Sequence, residues 1–393
     1  MIQNHRFKIS LLFSGLIVAI LMVQFHYVAR ETDSRLYTRF VKQLSTKPLG
    51  EFVAPRWAGM STFAEKETPF VRDHLPGQYF LPVLLTKIGV PASHAHYIVN
   101  TFVRLIILYL FFKLTLLLLP LNQAILVPLC VQLMPINFTY QLRSNHEYPM
   151  LMFSLIGIWG LTFFNKDRRK SYLMIALAVL GSYYIKGLAM VPLIPLFWIA
   201  MIIQTKKDEW PKLTVIYTGI VLLIPLTSVF FEFYFRSVTG VPFFKKYFEV
   251  QIYKRSIEAS SSAFNIIKKF QNFWYYFSRT LSYTLPFSLA GIIFAIKNRT
   301  KLKEFVSTPV VQGLLLLTFI NVAFFSMSDR TASRYIFSSY YSFAALSIIM
   351  VLKYTKLSIK KINLGYVLVC LVFVGLSFAS IYTSQDNVLK YPN

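Results

Sequence analysis

Leu213-Thr-Val-Ile-Tyr-Thr-Gly-Ile-Val-Leu-Leu-Ile-Pro-Leu-Thr-Ser-Val-Phe-Phe-Glu-Phe-Tyr-Phe235 is the stretch on which the fold class turns. Its one charged residue, Glu232, sits near the end. An apolar run of roughly 20 residues is the length that crosses a bilayer as a helix. Similar runs recur from one end of the chain to the other. They are continuous rather than alternating, which excludes a membrane β-barrel. Composition agrees: of 393 residues, 55% are apolar and 15% charged. Soluble domains carry roughly 45–50% and about 25%. A soluble enzyme, a disordered tail protein and a disulfide scaffold are thereby excluded.

Eleven spans are read, at about 9–27, 97–119, 123–140, 148–164, 171–186, 188–203, 213–235, 275–296, 306–326, 335–352 and 363–383. The first follows Arg6 and Lys8 and lacks a small-residue cleavage site, so it reads as an uncleaved span. The expectation is an all-α polytopic membrane protein, one integral-membrane domain over 1–393 with about 11 transmembrane helices. Lys and Arg cluster at the N-terminus, at 165–170, 205–212 and 297–303, and from 353 to 361. With eleven spans all five groups fall on one face, which the positive-inside rule makes cytoplasmic. The N-terminus is then cytoplasmic and the C-terminus extracytoplasmic, in what reads as a bacterial plasma membrane.

The opposite face holds two large loops, 28–96 and 236–274, and short turns near 143–147, 186–187 and 328–334. Long loops without obvious structure usually carry function. Nearly all acids outside the cytoplasmic clusters lie on this face, so chemistry is expected there. The formal charge of +25, from 41 Lys+Arg against 16 Asp+Glu, fits anionic lipid surfaces and a phosphate-bearing substrate rather than nucleic acid. Cys130 and Cys370 lie inside apolar runs and read as packing residues.

In the first loop, Leu36, Tyr37, Phe40, Val41 and Leu44 share one helical face, and Arg35, Arg39 and Lys42 another. The pattern predicts an amphipathic helix lying in the membrane interface, basic side toward the head groups. Asp33 stands at its start, as a helix cap or as a functional carboxylate. Arg72-Asp73-His74-Leu-Pro76 places a carboxylate and an imidazole on a stiff turn; a solvated turn is the bland alternative. Glu147 follows His146 at the mouth of a span, where an ionisable residue is a functional candidate. His146 has no partner at zinc-site spacing. Lys186 either snorkels or meets an anion. Arg330 and Arg334, four residues apart, would share a helical face suited to clamping a phosphate. The aromatic and basic segment from Phe243 to Arg255 is an interfacial stretch or a lid over a head group. No P-loop, GxSxG, HExxH or Cys-rich metal pattern is present, which argues against nucleotide-driven chemistry.

Taken in order, these pieces resemble the polytopic GT-C glycosyltransferases, in the branch of the bacterial aminoarabinose transferases and protein O-mannosyltransferases. Asp33-Ser34 and Tyr37 stand where that family has an Asp-Glu pair followed by Tyr. Glu51-Phe-Val-Ala-Pro55 resembles its downstream aspartate-Trp-hydrophobic-Pro stretch. Asp73-His74-Leu75-Pro76 with Tyr79-Phe80 resembles its Glu-Lys-Pro-Pro element, and Lys87-Ile-Gly89 its next turn. Lys186-Gly187 and Arg334-Tyr335 resemble its later Lys-Gly and Arg-Tyr elements. Three departures stand out: Ser34 replaces an acid, His74 replaces a lysine, and the 249–255 loop has no histidine. They leave the donor-phosphate contacts and the metal open.

The resemblance implies a hexosyl- or pentosyltransferase using a polyprenyl-phosphate sugar donor and a lipid, glycan or protein acceptor. Asp33 would be the general base of an inverting displacement. Asp73 and Glu147 would orient substrate or hold a divalent metal ion. Tyr37, His74, Lys186, Arg255, Arg330, Arg334 and Tyr335 would bind substrate. The rival readings are a polymerase or ligase of undecaprenyl-diphosphate-linked glycans, a transporter or flippase for lipid-linked solutes, and a membrane scaffold.

Overall fold

A computed structural model describes residues 32–57, 69–72, 74–140, 146–249, 266–328 and 331–355, with a few more between 364 and 376; at 32, 33 and 138–140 only the backbone is described. Among these residues the regular structure is helical, apart from one isolated bridge between Arg56 and Phe70. The main helices are α1 (Thr32–Ser45), α2 (Gly77–Lys87), α3 (Ala92–Thr115), α4 (Glu147–Leu161), α5 (Arg168–Lys186) and α6 (Leu193–Ile203). They continue with α7 (Trp210–Thr239), α8 (Phe243–Phe248), α9 (Ile266–Tyr283), α10 (Phe287–Lys297), α11 (Pro309–Ser326) and α12 (Phe337–Tyr354). The fold is that of an all-helical integral membrane protein, as the apolar runs predict.

Local chemistry sets the ends. Asp167 caps α5 by accepting a hydrogen bond from the Lys170 amide at 3.0 Å. Pro309 opens α11, where its missing N–H is not needed. Gly240 ends α7 at φ 75°, its amide donating to the Arg236 carbonyl at 2.8 Å.

Among the described residues, five helices are long and apolar enough to span a membrane: α3, α5, α7, α11 and α12, the last four with their short flanking turns where present. Three shorter apolar helices, Leu121–Val131, α4 and α6, overlap the expected spans at 123–140, 148–164 and 188–203. The expected spans 9–27 and, for the most part, 363–383 lie outside the described residues. The expected span 275–296 is divided: α9 and α10 meet at 98°. Pro286 accounts for the break, because it lacks an amide donor and disfavours helical backbone at Leu285.

The bundle packs around α12, whose apolar window is 83% buried, while α7 is only 17% buried and carries exposed Val215, Leu222, Val229, Phe230 and Phe233. Such a face suits lipid. Helices α4 and α5 form an antiparallel pair. Gly181 lets it close, since a Cβ there would strike the ring of Phe153 on α4, and Gly157 likewise makes room for the ring of Phe197 on α6.

Helix α1 forms where expected, with Tyr37, Phe40, Val41 and Leu44 buried and Arg35, Arg39 and Lys42 exposed. Its apolar side does not face lipid, however. It packs with Phe52, Val71, Tyr79, Val83 and Ala95 in a second small core. The amphipathic pattern stated that one face needed covering; α2 and α3 cover it.

Candidate functional site

Glu147 is the first residue of α4 and Lys186 the last of α5. An acid at a helix N-terminus and a base at a C-terminus both suit the helix dipole. The antiparallel pairing brings the two ends together, with Lys186 Nζ 2.8 Å from Glu147 Oε1. Glu147 is 4% exposed and the Lys186 side chain 15%. Lys186 therefore meets an anion rather than reaching for head groups. One of its three N–H donors is on Glu147.

The same cleft is lined by Arg334, Tyr335 and Phe325, and encloses about 410 Å³ of space including its mouth. Arg334 sits on the short turn Ser333–Ile336. Its neighbours are held firmly. Tyr340 donates to the Ser333 carbonyl at 2.8 Å, and Tyr335 stacks on Phe325 at 5.5 Å. Helix α9 ties down the preceding loop: Asn272 donates to the Ser328 carbonyl and Lys269 to the Met327 carbonyl, both at 2.7 Å, while Tyr276 Oη accepts from the Ala332 amide. Lys186 Nζ lies 6.0 Å over the Tyr335 ring.

Beside this cleft stands His146, 5% exposed, just before α4. Tyr37 of α1 hydrogen-bonds its Nε2 at 2.8 Å, and His74 stacks on it at 6.0 Å. Burial holds His146 well below its ordinary pKa, and the positive charges of Lys186 and Arg334 push the same way. It is a neutral imidazole, and its buried Nδ1 has no partner among the described residues.

The second large loop supports the cleft from one side. Glu232 accepts from the Phe243 and Phe244 amides at 3.0 and 2.8 Å, capping α8. Arg72 donates to the Pro242 carbonyl at 2.7 Å. Tyr247 of α8 accepts from the Leu188 amide at 3.0 Å, two residues beyond Lys186. Gly187 has φ 58° and ψ −129°, and the Tyr247 hydroxyl occupies the place of a Cβ there. Only glycine fits that backbone and that gap.

Of the residues singled out in sequence, Glu147, Lys186, Arg334 and Tyr335 line one cleft. Tyr37 and His74 converge on His146 at its side. Asp73, Arg255 and Arg330, and the side chain of Asp33, lie outside the described residues. Among the described residues no group of three His, Cys, Asp or Glu side chains is placed to hold a metal ion. Arg104, a buried cation of α3, donates to Gln132 at 2.8 Å and lies 5.2 Å over Tyr148. It packs inside the bundle. Sequence reasoning passed over Tyr247, Asn321 and Ser338. Asn321, a polar residue in an apolar run, carried the one signal that could have marked it.

Fold and site define a polytopic membrane protein with a charged cleft at one end of its helical bundle. A protein-family model described as dolichyl-phosphate-mannose-protein mannosyltransferase matches residues 73–231. That match includes Glu147 and Lys186. The crystal structure of ArnT from Cupriavidus metallidurans bound to undecaprenyl phosphate superposes with a TM-score of 0.63 at 12% identity, over 90% of this chain and 61% of that one. The apo structure of the same protein gives a TM-score of 0.56 at 12% identity, with the same coverage. No curated protein matches in sequence. The chain has the fold of ArnT and spans about three-fifths of its length.

Proposed function

We propose that this protein is a membrane glycosyltransferase, moving a sugar from a polyprenyl-phosphate donor to an acceptor at the extracytoplasmic surface. The observation that carries the reading is the cleft where Glu147, Lys186 and Arg334 meet on an ArnT-type bundle. It lies at the ends of α5 and α11 and the starts of α4 and α12, the ends that the Lys and Arg distribution assigns to the outer face.

In this reading the donor phosphate is held by Lys186 and Arg334, with Arg255, Arg330 and His74 as further contacts. Lys186 keeps two N–H donors for phosphate oxygens while Glu147 fixes its position. Asp33 is the general base. It takes the proton of the acceptor hydroxyl as that oxygen bonds to the anomeric carbon. The bond from that carbon to the phosphate oxygen breaks, and polyprenyl phosphate leaves with a full negative charge. Fixed cations favour that charge most as it develops. A single displacement inverts the anomeric centre. Tyr37, one turn beyond Asp33 on α1, is held by His146, which ties the helix bearing Asp33 to the edge of the cleft.

Asp33→Asn is expected to lower sugar transfer by at least about a hundredfold, the usual worth of a general base, with binding of bare undecaprenyl phosphate unchanged. Transfer assays in nanodiscs with a radiolabelled lipid-linked sugar read this directly. Wild-type rates in the variant would remove Asp33 from the mechanism.

A further inference from the structure

Below the charged mouth, the cleft has a polar floor that the catalytic reading leaves unused. Asn321 of α11 is 6% exposed and Ser338 of α12 is 8% exposed, yet both line the cleft. Neither side chain makes a hydrogen bond among the described residues, although Ser154, nearby on α4, satisfies its hydroxyl on the Met150 carbonyl at 2.8 Å. Their polar atoms are not sealed from the cleft, so both remain open to a ligand. Two such groups facing one cleft mark a place where a ligand completes them.

Their depth is set by helix geometry. Asn321 precedes Phe325 by four residues, which places it roughly 6 Å further in along α11. Ser338 lies one turn inward of Arg334. The charged groups therefore ring the mouth, and the amide and hydroxyl stand one turn below, in a cleft that Phe325 and Phe337 also line. A hydrocarbon tail would leave both polar groups unpaired. A sugar ring offers hydroxyls to them and C–H faces to the aromatics.

We infer that Asn321 and Ser338 form the sugar-recognition subsite, and that it takes a neutral, hydroxyl-bearing ring. This rests on the proposed transferase function and specifies its donor. Charge decides between sugar types. At the mouth Lys186 and Arg334 outnumber Glu147, whose Oε1 is engaged by Lys186, and so disfavour an ammonium group; the floor offers it no carboxylate among the described residues. A sugar carboxylate would be drawn to the mouth instead of the floor. The amide both donates and accepts, which matches a hydroxyl.

The test uses the full-length protein in nanodiscs and three probes: bare undecaprenyl phosphate, the same carrier bearing a neutral hexose, and the carrier bearing an amino sugar. Asn321→Ala and Ser338→Ala should each weaken binding of the neutral-hexose carrier about three- to tenfold, the worth of one neutral hydrogen bond. Affinity for the bare carrier should not change. Asn321→Asp should shift preference toward the amino sugar, an outcome that misfolding cannot produce. Equal losses for bare and glycosylated carriers would overturn the subsite, as would no loss for either. Tighter binding of the bare carrier by Asn321→Ala would mark a tail slot and overturn it too. In those cases wild-type binding of the lipid phosphates leaves the transferase reading standing. If wild type binds none of the three probes, both fall.

Discussion

Removing the Glu147 carboxylate tests the centre of the cleft. Its Oε1 lies 2.8 Å from Lys186 Nζ, and both side chains are largely buried. Breaking such a pair by deleting one partner usually costs about 3–5 kcal/mol, because the other charge is left buried alone. Lys186 is 15% exposed, so the lower end of that range applies: we expect Glu147→Gln and Lys186→Met each to cost about 3 kcal/mol. The double variant should cost much less than their sum, giving a coupling of at least about 1.5 kcal/mol. Binding separates the two single variants. Glu147 repels a phosphate and occupies one donor of Lys186, so Glu147→Gln should bind undecaprenyl phosphate more tightly, by roughly fivefold for about 1 kcal/mol of removed repulsion. Lys186→Met should bind it more weakly. Equilibrium unfolding in mixed micelles and carrier binding in nanodiscs give the four values. A coupling under about 0.5 kcal/mol, or both single variants moving affinity the same way, would refute the account of Lys186 as a shared cation.

Arg334→Ala should raise the KM for the lipid-linked donor more than that for the acceptor; equal rises would point to a general folding defect. His146 is held neutral, its folded pKa lowered by burial and neighbouring cations. The unfolded state therefore binds more protons below about pH 6.5, and stability should fall on acidification with a slope approaching about 1.4 kcal/mol per pH unit until His146 itself is protonated. His146→Gln should flatten that slope, as read from unfolding at pH 5, 6 and 7. Gly187→Ala should destabilise by at least about 1–3 kcal/mol through its positive φ and its contact with Tyr247. Adding Tyr247→Phe should recover only the contact part of the loss in the same unfolding assay.

The helices were legible because each answers to a local rule. The run at 213–235 reads as a helix by length and polarity alone, and α7 covers it. The repeat of Tyr37, Phe40, Val41 and Leu44 announced α1 and its buried side. What buried that side was not legible. A pattern of apolar residues demands a cover without naming it, and a lipid interface and a protein core satisfy it equally. The split of α9 from α10 was signalled by Pro286, yet the long apolar stretch around it read as one span.

The candidate residues divide in the same way. Glu147, Lys186 and Arg334 stood out singly, as charges at the mouths of apolar runs. Their meeting could not be read from order along the chain. Glu147 and Lys186 are 39 positions apart and Tyr37 and His146 are 109 apart. Asn321 and Ser338 offered less still, because a lone amide or hydroxyl in a helix can bond to its own backbone, as Ser154 does. Sequence by itself thus determined that the chain is a bundle of apolar helices with charges gathered at their ends. Tertiary structure decided which ends share a cleft, which charges neutralise each other, and which polar groups stay open to a ligand. The reason is physical: apolarity and helix formation are set by residues within a turn or two, whereas ion pairing and burial depend on distances that only packing creates.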